Sequence, residues 1–247
     1  MAVSREPVAP PSLSALRARG PIALFLDFDG TLVEIAPGPE AIRVPRDLGP
    51  RIEKLGKRLD GRLALVTGRA LDNLESHLGP LRVARAGSHG AARKLADGAA
   101  LGESPAPLPD AACQLLREFS QTSGLLLETK PHGAALHFRA RPDRESEVAA
   151  LASELAGEFG LLVKSGKSVV ELVSPGAGKD GAVRAFMAIA PFEGAVPVFI
   201  GDDVTDEDGF RAAGEFGGWG IAVGERPSQA ARYRLDGVGQ VYEWLEL

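Results

Sequence analysis

Two carboxylates stand one residue apart in Asp27-Phe28-Asp29-Gly30-Thr31, directly after the apolar run Ile22 to Leu26. Alternation along an extended chain sets Asp27 and Asp29 on one side. In open α/β sheets, ligands bind beyond the carboxyl ends of strands. Two carboxylates placed there repel and resist ionising together. A divalent cation removes that conflict, and Mg²⁺ suits it, because Mg²⁺ accepts one or two carboxylates together with phosphate and water oxygens. The plainer reading of the same residues is a strand followed by an Asx-type turn.

A second acidic cluster, Gly201-Asp202-Asp203-Val204-Thr205-Asp206-Glu207, follows the apolar run Val196 to Ile200. Thr205 is placed to cap the next helix, and Asp206 and Glu207 in its first turn favour the helix dipole. Asp206 and Glu207 therefore have a structural explanation, whereas Asp202 and Asp203 precede the cap and do not. Val66-Thr67-Gly68-Arg69 ends another strand, where a hydroxyl and backbone N–H groups can hold a phosphate oxygen. Lys179, at a helix start in Gly178-Lys179-Asp180-Gly181, can reach a phosphate as a point charge. Each has an ordinary alternative, a Thr-Gly turn and a solvated lysine. The Lys179 segment is not a Walker A loop, since Asp180 follows the lysine and Val173 stands where the first glycine belongs.

These residues need strand ends to hold them, and the pattern supplies them. Short apolar runs at 22–26, 63–66, 83–86, 196–200 and 221–223 alternate with helical spacings at 46–59, 71–78, 179–190, 206–213 and 237–246. That alternation predicts a parallel α/β sheet. Between its two pieces the pattern changes. A proline-punctuated linker leads to a helix with Leu115, Leu116 and Phe119. Strands follow near 124–130 and 133–139, then a helix with Val148, Leu151 and Leu155, then strands near 161–164 and 168–173. The expected plan is a discontinuous core, 12–104 and 177–247, with a small α+β module inserted at 105–176. Residues 1–11 are expected to be a loose tail. Linkers 103–109 and 174–178 are expected to act as hinges.

On the inserted strands, period-two spacing pairs Glu128 with Lys130 and His137 with Arg139, and sets Lys167 on one face with Glu171. Sugar hydroxyls both donate and accept, so a face of mixed charge suits a sugar. On pattern alone, it is equally an ordinary solvated sheet face.

The chain has 247 residues, 45% of them hydrophobic, and a net charge of 28 − 33 = −5. That excludes wholesale disorder and lacks the basic footprint of a nucleic-acid binder. The single cysteine, Cys113, permits neither an intrachain disulfide nor a cysteine-based zinc site. With no apolar leader and no long apolar stretch, the expected setting is the cytoplasm, without membrane contact.

Taken together and in this order, the motifs resemble those of the haloacid dehalogenase superfamily: an aspartate nucleophile (Asp27), a Ser or Thr (Thr67), a lysine (Lys179) and an acidic pair (Asp202, Asp203). D-F-D-G-T-L-V-E-I, V-T-G-R, A-G-S-H-G-A, L-E-T-K, A-L-H-F-R, G-K-S-V-V-E-L and G-D-D-V-T-D-E further resemble the trehalose-phosphatase family, from residue 27 to residue 207. Thr67 stands where that family often has Ser.

The resemblance implies a Rossmannoid parallel-sheet core with an inserted cap. It implies an Mg²⁺-dependent hydrolysis of trehalose 6-phosphate to trehalose and phosphate through an aspartyl-phosphate, the last step of trehalose biosynthesis. Asp27 would attack phosphorus, and Asp29 would serve as acid and then base. Thr67 and Lys179 would stabilise the transferring group. Asp27, the Asp29 backbone carbonyl and Asp202 would hold Mg²⁺, with Asp203 orienting water. Phe28, Gly68 and Arg69 complete the phosphate surroundings. Glu128, Lys130, Lys167 and Glu171 would contact the sugar, and His137 and Arg139 would contact or buttress it. His89 would shape the loop between core and cap. The expected partner is this small molecule alone, met by a monomer. The alternatives are a phosphatase for another sugar phosphate, such as sucrose phosphate, and a non-catalytic sugar-phosphate sensor. A receiver domain is roughly half this length and lacks the insert.

Overall fold

The structure is a computed structural model that describes residues 8–36, 42–166 and 168–247. The chain divides into two compact units, Met1–Glu103 with Gly178–Leu247, and Ser104–Ala177.

Ile22 to Leu26 are buried without exception, as a strand covered on both faces must be. The first unit runs α1 (Leu13–Arg17), β1 (Ile22–Leu26), α2 (Leu48–Arg58), β2 (Leu63–Val66), α3 (Leu71–Leu78), β3 (Ala84–Gly87) and β4 (Ala92–Lys94). The second unit holds α4 (Asp110–Ser123), β5 (Leu126–Lys130), β6 (Gly133–His137), α5 (Glu145–Phe159), β7 (Leu162–Gly166) and β8 (Val169–Val173). The first unit resumes with α6 (Lys179–Met187), β9 (Val196–Gly201), α7 (Asp206–Glu215), β10 (Trp219–Val223), β11 (Ala231–Leu235) and α8 (Val238–Leu245).

The first unit's sheet has the order β11-β10-β9-β1-β2-β3-β4. Its pairings are parallel except β4, which runs antiparallel to β3. Strand β1 pairs with β2 on one side and with β9 on the other. Connectivity therefore reverses beside β1, and such a switch point opens a crevice at the carboxyl ends of the two strands. Alternation fills both faces: Leu24 and Leu26 join Ile52, Leu55, Leu65 and Ile200, while Phe25 joins Val66, Phe186, Phe192 and Phe199. The Phe25 and Phe199 rings stack 6.5 Å apart, which fixes β1 against β9.

The second unit is a four-stranded antiparallel sheet, β5-β6-β8-β7. Ala134, Leu136, Val170 and Leu172 on one face pack with Ala112 and Leu116 of α4 and Val148, Ala152 and Leu155 of α5. The opposite face carries Glu128, Lys130, Ala135, His137, Glu171 and Lys164, as the strand registers require.

Three expectations need correction. Within the described residues the tail is not loose, because Val8 bridges Tyr233 and the Pro11 carbonyl accepts the Trp244 indole N–H at 2.8 Å. Just after it, Ser12 caps the unforeseen α1 by accepting the Ala15 N–H. The charged edge strands β4 and β11 were not expected either. Arg93, Lys94, Arg232 and Arg234 break their apolar signal, as edge strands commonly do. Arg139 lies beyond β6 in an exposed turn, so period-two pairing with His137 does not apply to it. Among the described residues no helix is long and apolar enough to cross a membrane.

Candidate active site

The ladder between β1 and β9 continues one step past the strand, with the Asp27 N–H donating to the Ile200 carbonyl at 2.9 Å. That bond seats the Asp27 carboxylate in the switch-point crevice, 4% exposed. Lys179, the first residue of α6, reaches it with Nζ at 2.9 Å from Asp27 Oδ1 and 2.6 Å from Asp206 Oδ1. The other Asp206 oxygen accepts the Asp203 N–H at 2.9 Å. Carboxylate oxygens of Asp27, Asp202 and Asp206 all lie within 4.8 Å of one another.

Two glycines make room for this crowding. A Cβ on Gly201 would fall 2.2 Å from Asp206 Cγ, and one on Gly30 would fall 2.1 Å from Asp202 Oδ2. Three carboxylates against one ammonium leave an excess of negative charge. Asp202 Oδ1 is moreover buried without a hydrogen-bond partner. Both features fit a hard divalent cation with oxygen ligands.

Burial pushes the Asp27 carboxyl up to about 6, although Lys179 pulls it down. Burial, with the charges of Asp206 and Asp203 behind it, raises Asp202 to about 6. Burial and the Asp27 charge raise Asp206 to about 7. Burial opposes the Lys179 charge, but Asp27 and Asp206 outweigh it and hold the ammonium above its ordinary range. The cluster is thus strained toward protonation, and a cation would relieve it.

The structure redirects several expected residues. Strand β1 ends at Leu26, and Asp29, on the turn beyond it, faces Arg69 rather than Asp27. The guanidinium forks onto it, Nε to Oδ2 and Nη2 to Oδ1, both at 2.7 Å. The Phe28 side chain is fully buried, so only its main chain can meet a ligand. In the acidic loop, Asp206 rather than Asp203 joins the carboxylate cluster, and the Asp203 side chain is exposed. Asp206 was missed because a first-turn acid is well explained by the helix dipole. The available signal was its spacing, four residues after Asp202. Thr205 makes no side-chain cap bond. Glu207 turns away to accept the N–H groups of Gln229 and Ala230 and a bond from Arg226. Burial works against its charge, but the bonds from Ser228, Ala230 and Arg226 outweigh it and hold its carboxyl below the usual range.

Thr67 is buried, and its Oγ1 accepts the Arg69 N–H at 3.1 Å. The turn Ser88-His89, with positive φ at both residues, donates its N–H groups to the Arg69 and Thr67 carbonyls at 2.7 and 2.9 Å. Strain at a non-glycine pair is a mark of a held functional loop. On the second unit's open face, Lys130 Nζ pairs with Glu171 Oε1 at 2.8 Å and His137 Nε2 with Glu128 Oε2 at 3.0 Å. Lys167 lies outside the described residues.

The trehalose-phosphatase family model matches residues 25–238. Trehalose-6-phosphate phosphatase of Escherichia coli (strain K12) is 38% identical over 231 residues, covering 91% of this chain and 85% of its own length. Among solved structures, trehalose-6-phosphate phosphatase of Aspergillus fumigatus (crystal form 3) superposes with a TM-score of 0.76 at 21% identity, covering 98% of each chain. A haloalkanoate (HAD) superfamily phosphatase from Bacteroides thetaiotaomicron superposes at 0.64 and 16% identity, covering 100% of this chain and 96% of that one. The fold is haloacid-dehalogenase-like, and the chain belongs to the trehalose-phosphatase family.

Proposed function

We propose that the chain hydrolyses trehalose 6-phosphate to trehalose and inorganic phosphate, with Asp27 as nucleophile. The observation that carries this reading is the buried Asp27 carboxylate, bonded to Lys179 and crowded by Asp202 and Asp206 at the β1–β9 switch point. In the first step, an Asp27 oxygen bonds to phosphorus while the bond from phosphorus to the sugar oxygen breaks. Asp29 gives its proton to that oxygen, and trehalose leaves. In the second step, Asp29 takes a proton from water, the water oxygen bonds to phosphorus, and Asp27 is released with phosphate. Lys179 balances the negative charge spread over the transferring oxygens, as does the Thr67 hydroxyl.

Asp29 must leave the Arg69 fork to play this part. An incoming phosphate dianion competes for the same guanidinium, and that exchange frees the Asp29 carboxyl to turn toward the leaving oxygen. Phe28, Gly68 and Arg69 line the phosphate position through main chain and guanidinium. Asp27, the Asp29 carbonyl and Asp202 would hold Mg²⁺, which when bound supplies Lewis-acid stabilisation of phosphoryl charge. Asp206 holds Lys179 in register, and Asp203 offers its N–H to Asp206.

In this reading the second unit is the substrate-selecting cap. Glu128, Lys130, His137 and Glu171 present both signs of charge to sugar hydroxyls, and Arg139 and Lys167 extend that face. Phosphate release from trehalose 6-phosphate, sucrose phosphate and glucose 6-phosphate, each with Mg²⁺ and with chelator, tests the whole reading. Release from trehalose 6-phosphate alone, lost with chelator and in Asp27→Asn, is expected. Faster release from sucrose phosphate would reassign the substrate, and no release from any of the three would leave a sensor.

A further inference from the structure

Asp202 is the one member of the carboxylate cluster without a Lys179 bond, and its Oδ1 is buried with no hydrogen-bond partner. Asp206 and Asp203 repel it, and it is pressed against Gly30. The hydrogen bond its carboxylate does accept comes from its own main-chain N–H, so the main chain aims it. Arg226, from the segment after β10, binds that main chain. Its Nε donates to the Asp202 carbonyl at 3.0 Å and its Nη2 to the Asp203 carbonyl at 2.8 Å. The same Nη2 lies 3.1 Å from Glu207 Oε1, and Glu207 also accepts the Gln229 and Ala230 N–H groups. Helix α7, the acidic loop and the segment 226–230 are thus tied together through one guanidinium, only a third exposed. A planar fork bound to two successive carbonyls fixes the two peptide planes that meet at the Asp203 Cα, which a point charge cannot do.

We propose that Arg226 is a positioning residue for the divalent-cation site: by holding the Asp202 and Asp203 carbonyls it aims the Asp202 carboxylate at the ion. The proposal rests on the Mg²⁺ reading above. Groups that orient a metal ligand from behind commonly set affinity by about 10–100-fold. The Arg226 hydrogen bonds run to the Asp202, Asp203 and Pro227 carbonyls and to Glu207, so its effect should fall on the cation and not on sugar recognition.

The test is calorimetric titration of MgCl₂ into the parent, Arg226→Ala, Arg226→Lys and Glu207→Gln, each checked for folding by circular dichroism. It is paired with Mg²⁺ half-saturation and KM from phosphate release. The expected result is Mg²⁺ binding weakened about tenfold or more in Arg226→Ala, and by less in Arg226→Lys, which reaches one carbonyl. Glu207→Gln should also weaken it, because it slackens the guanidinium. KM for trehalose 6-phosphate at saturating Mg²⁺ should stay near the parent's. General structural damage would lower the thermal midpoint and kcat without moving the calorimetric affinity. Should Arg226→Ala fail to fold, Arg226→Lys and Glu207→Gln decide. Folded variants that bind Mg²⁺ within twofold of the parent overturn the proposal alone. A parent that binds no Mg²⁺ overturns the cation reading and the proposal with it.

Discussion

Lys179 makes its shorter ion pair not with Asp27, the proposed nucleophile, at 2.9 Å, but with Asp206, at 2.6 Å. The lysine is almost wholly buried, and Asp206 is wholly so. Breaking one side of a buried pair leaves charge uncompensated, which typically costs 3–5 kcal/mol. Asp206→Asn keeps the shape and removes the charge, and Asp27 retains half of the pairing. Burial and the Asp27 charge already disfavour the Asp206 charge, so stability near neutral pH should fall by less than about 1 kcal/mol, while kcat falls by a factor of about 100 as Lys179 loses its second anchor. Urea unfolding read beside phosphate release checks both, and a loss of several kcal/mol would mean that the ion pair outweighs the burial of the Asp206 charge.

Gly30→Ala tests the crowding from the other side of the crevice. Gly30 has φ +73°, and its Cβ would overlap the Asp202 carboxylate. A left-handed alanine alone costs about 1–2 kcal/mol, and the overlap must be met by moving Asp202. The expected variant is folded, less stable by about 2–3 kcal/mol and weaker in Mg²⁺ half-saturation than in KM. Activity matching the parent's would show that Asp202 has room to spare.

Much of the core could be read from the sequence because its causes are local. Ile22–Leu26 and Leu63–Val66 are buried on both faces, so their apolar runs are continuous, and Leu48, Ile52 and Leu55 keep helical spacing. Asp27, Lys179 and Asp202 follow from their places at strand ends and a helix start. What escaped depends on contacts distant in sequence. Arg69 and Asp29 are 40 residues apart, and Arg226 and Asp202 are 24 apart. No spacing rule predicts either pairing. Asp206 escaped for a different reason: a sound local explanation, the helix dipole, concealed a second role.

The cluster sets the pH response of the cation-free protein. Burial raises Asp27 and Asp202 to about 6 and Asp206 to about 7. Between about pH 4 and 7 the folded chain therefore holds protons that the unfolded chain has released. Linkage then makes stability fall as pH rises through that window. Mg²⁺ displaces those protons, so its apparent affinity should rise with pH over the same range. The thermal midpoint measured from pH 5 to pH 8, with and without Mg²⁺, should show two curves that diverge as pH rises. Parallel curves would mean that the ion displaces no protons from this cluster.

The cap prediction concerns Lys130 and Glu171, paired at 2.8 Å with side chains 34% and 23% exposed. The bridge crosses β6 between β5 and β8, above the small residues Gly133 and Ala135, which leave the middle of the open face low. A half-buried pair of this kind, still open to water, adds little to stability, commonly under about 1 kcal/mol. Its charges are better placed to bind hydroxyls, which can accept from the ammonium and donate to the carboxylate. Glu171→Gln keeps the size and removes the charge, so a charge-assisted bond to the sugar becomes a neutral one, a loss of about 1.4 kcal/mol, or tenfold. KM for trehalose 6-phosphate should rise about tenfold, kcat should stay within a factor of about three, and the unfolding midpoint should barely move. A stability loss with KM unchanged would instead make the pair a strut of the cap sheet, and the sugar would have to be read by other residues on that face.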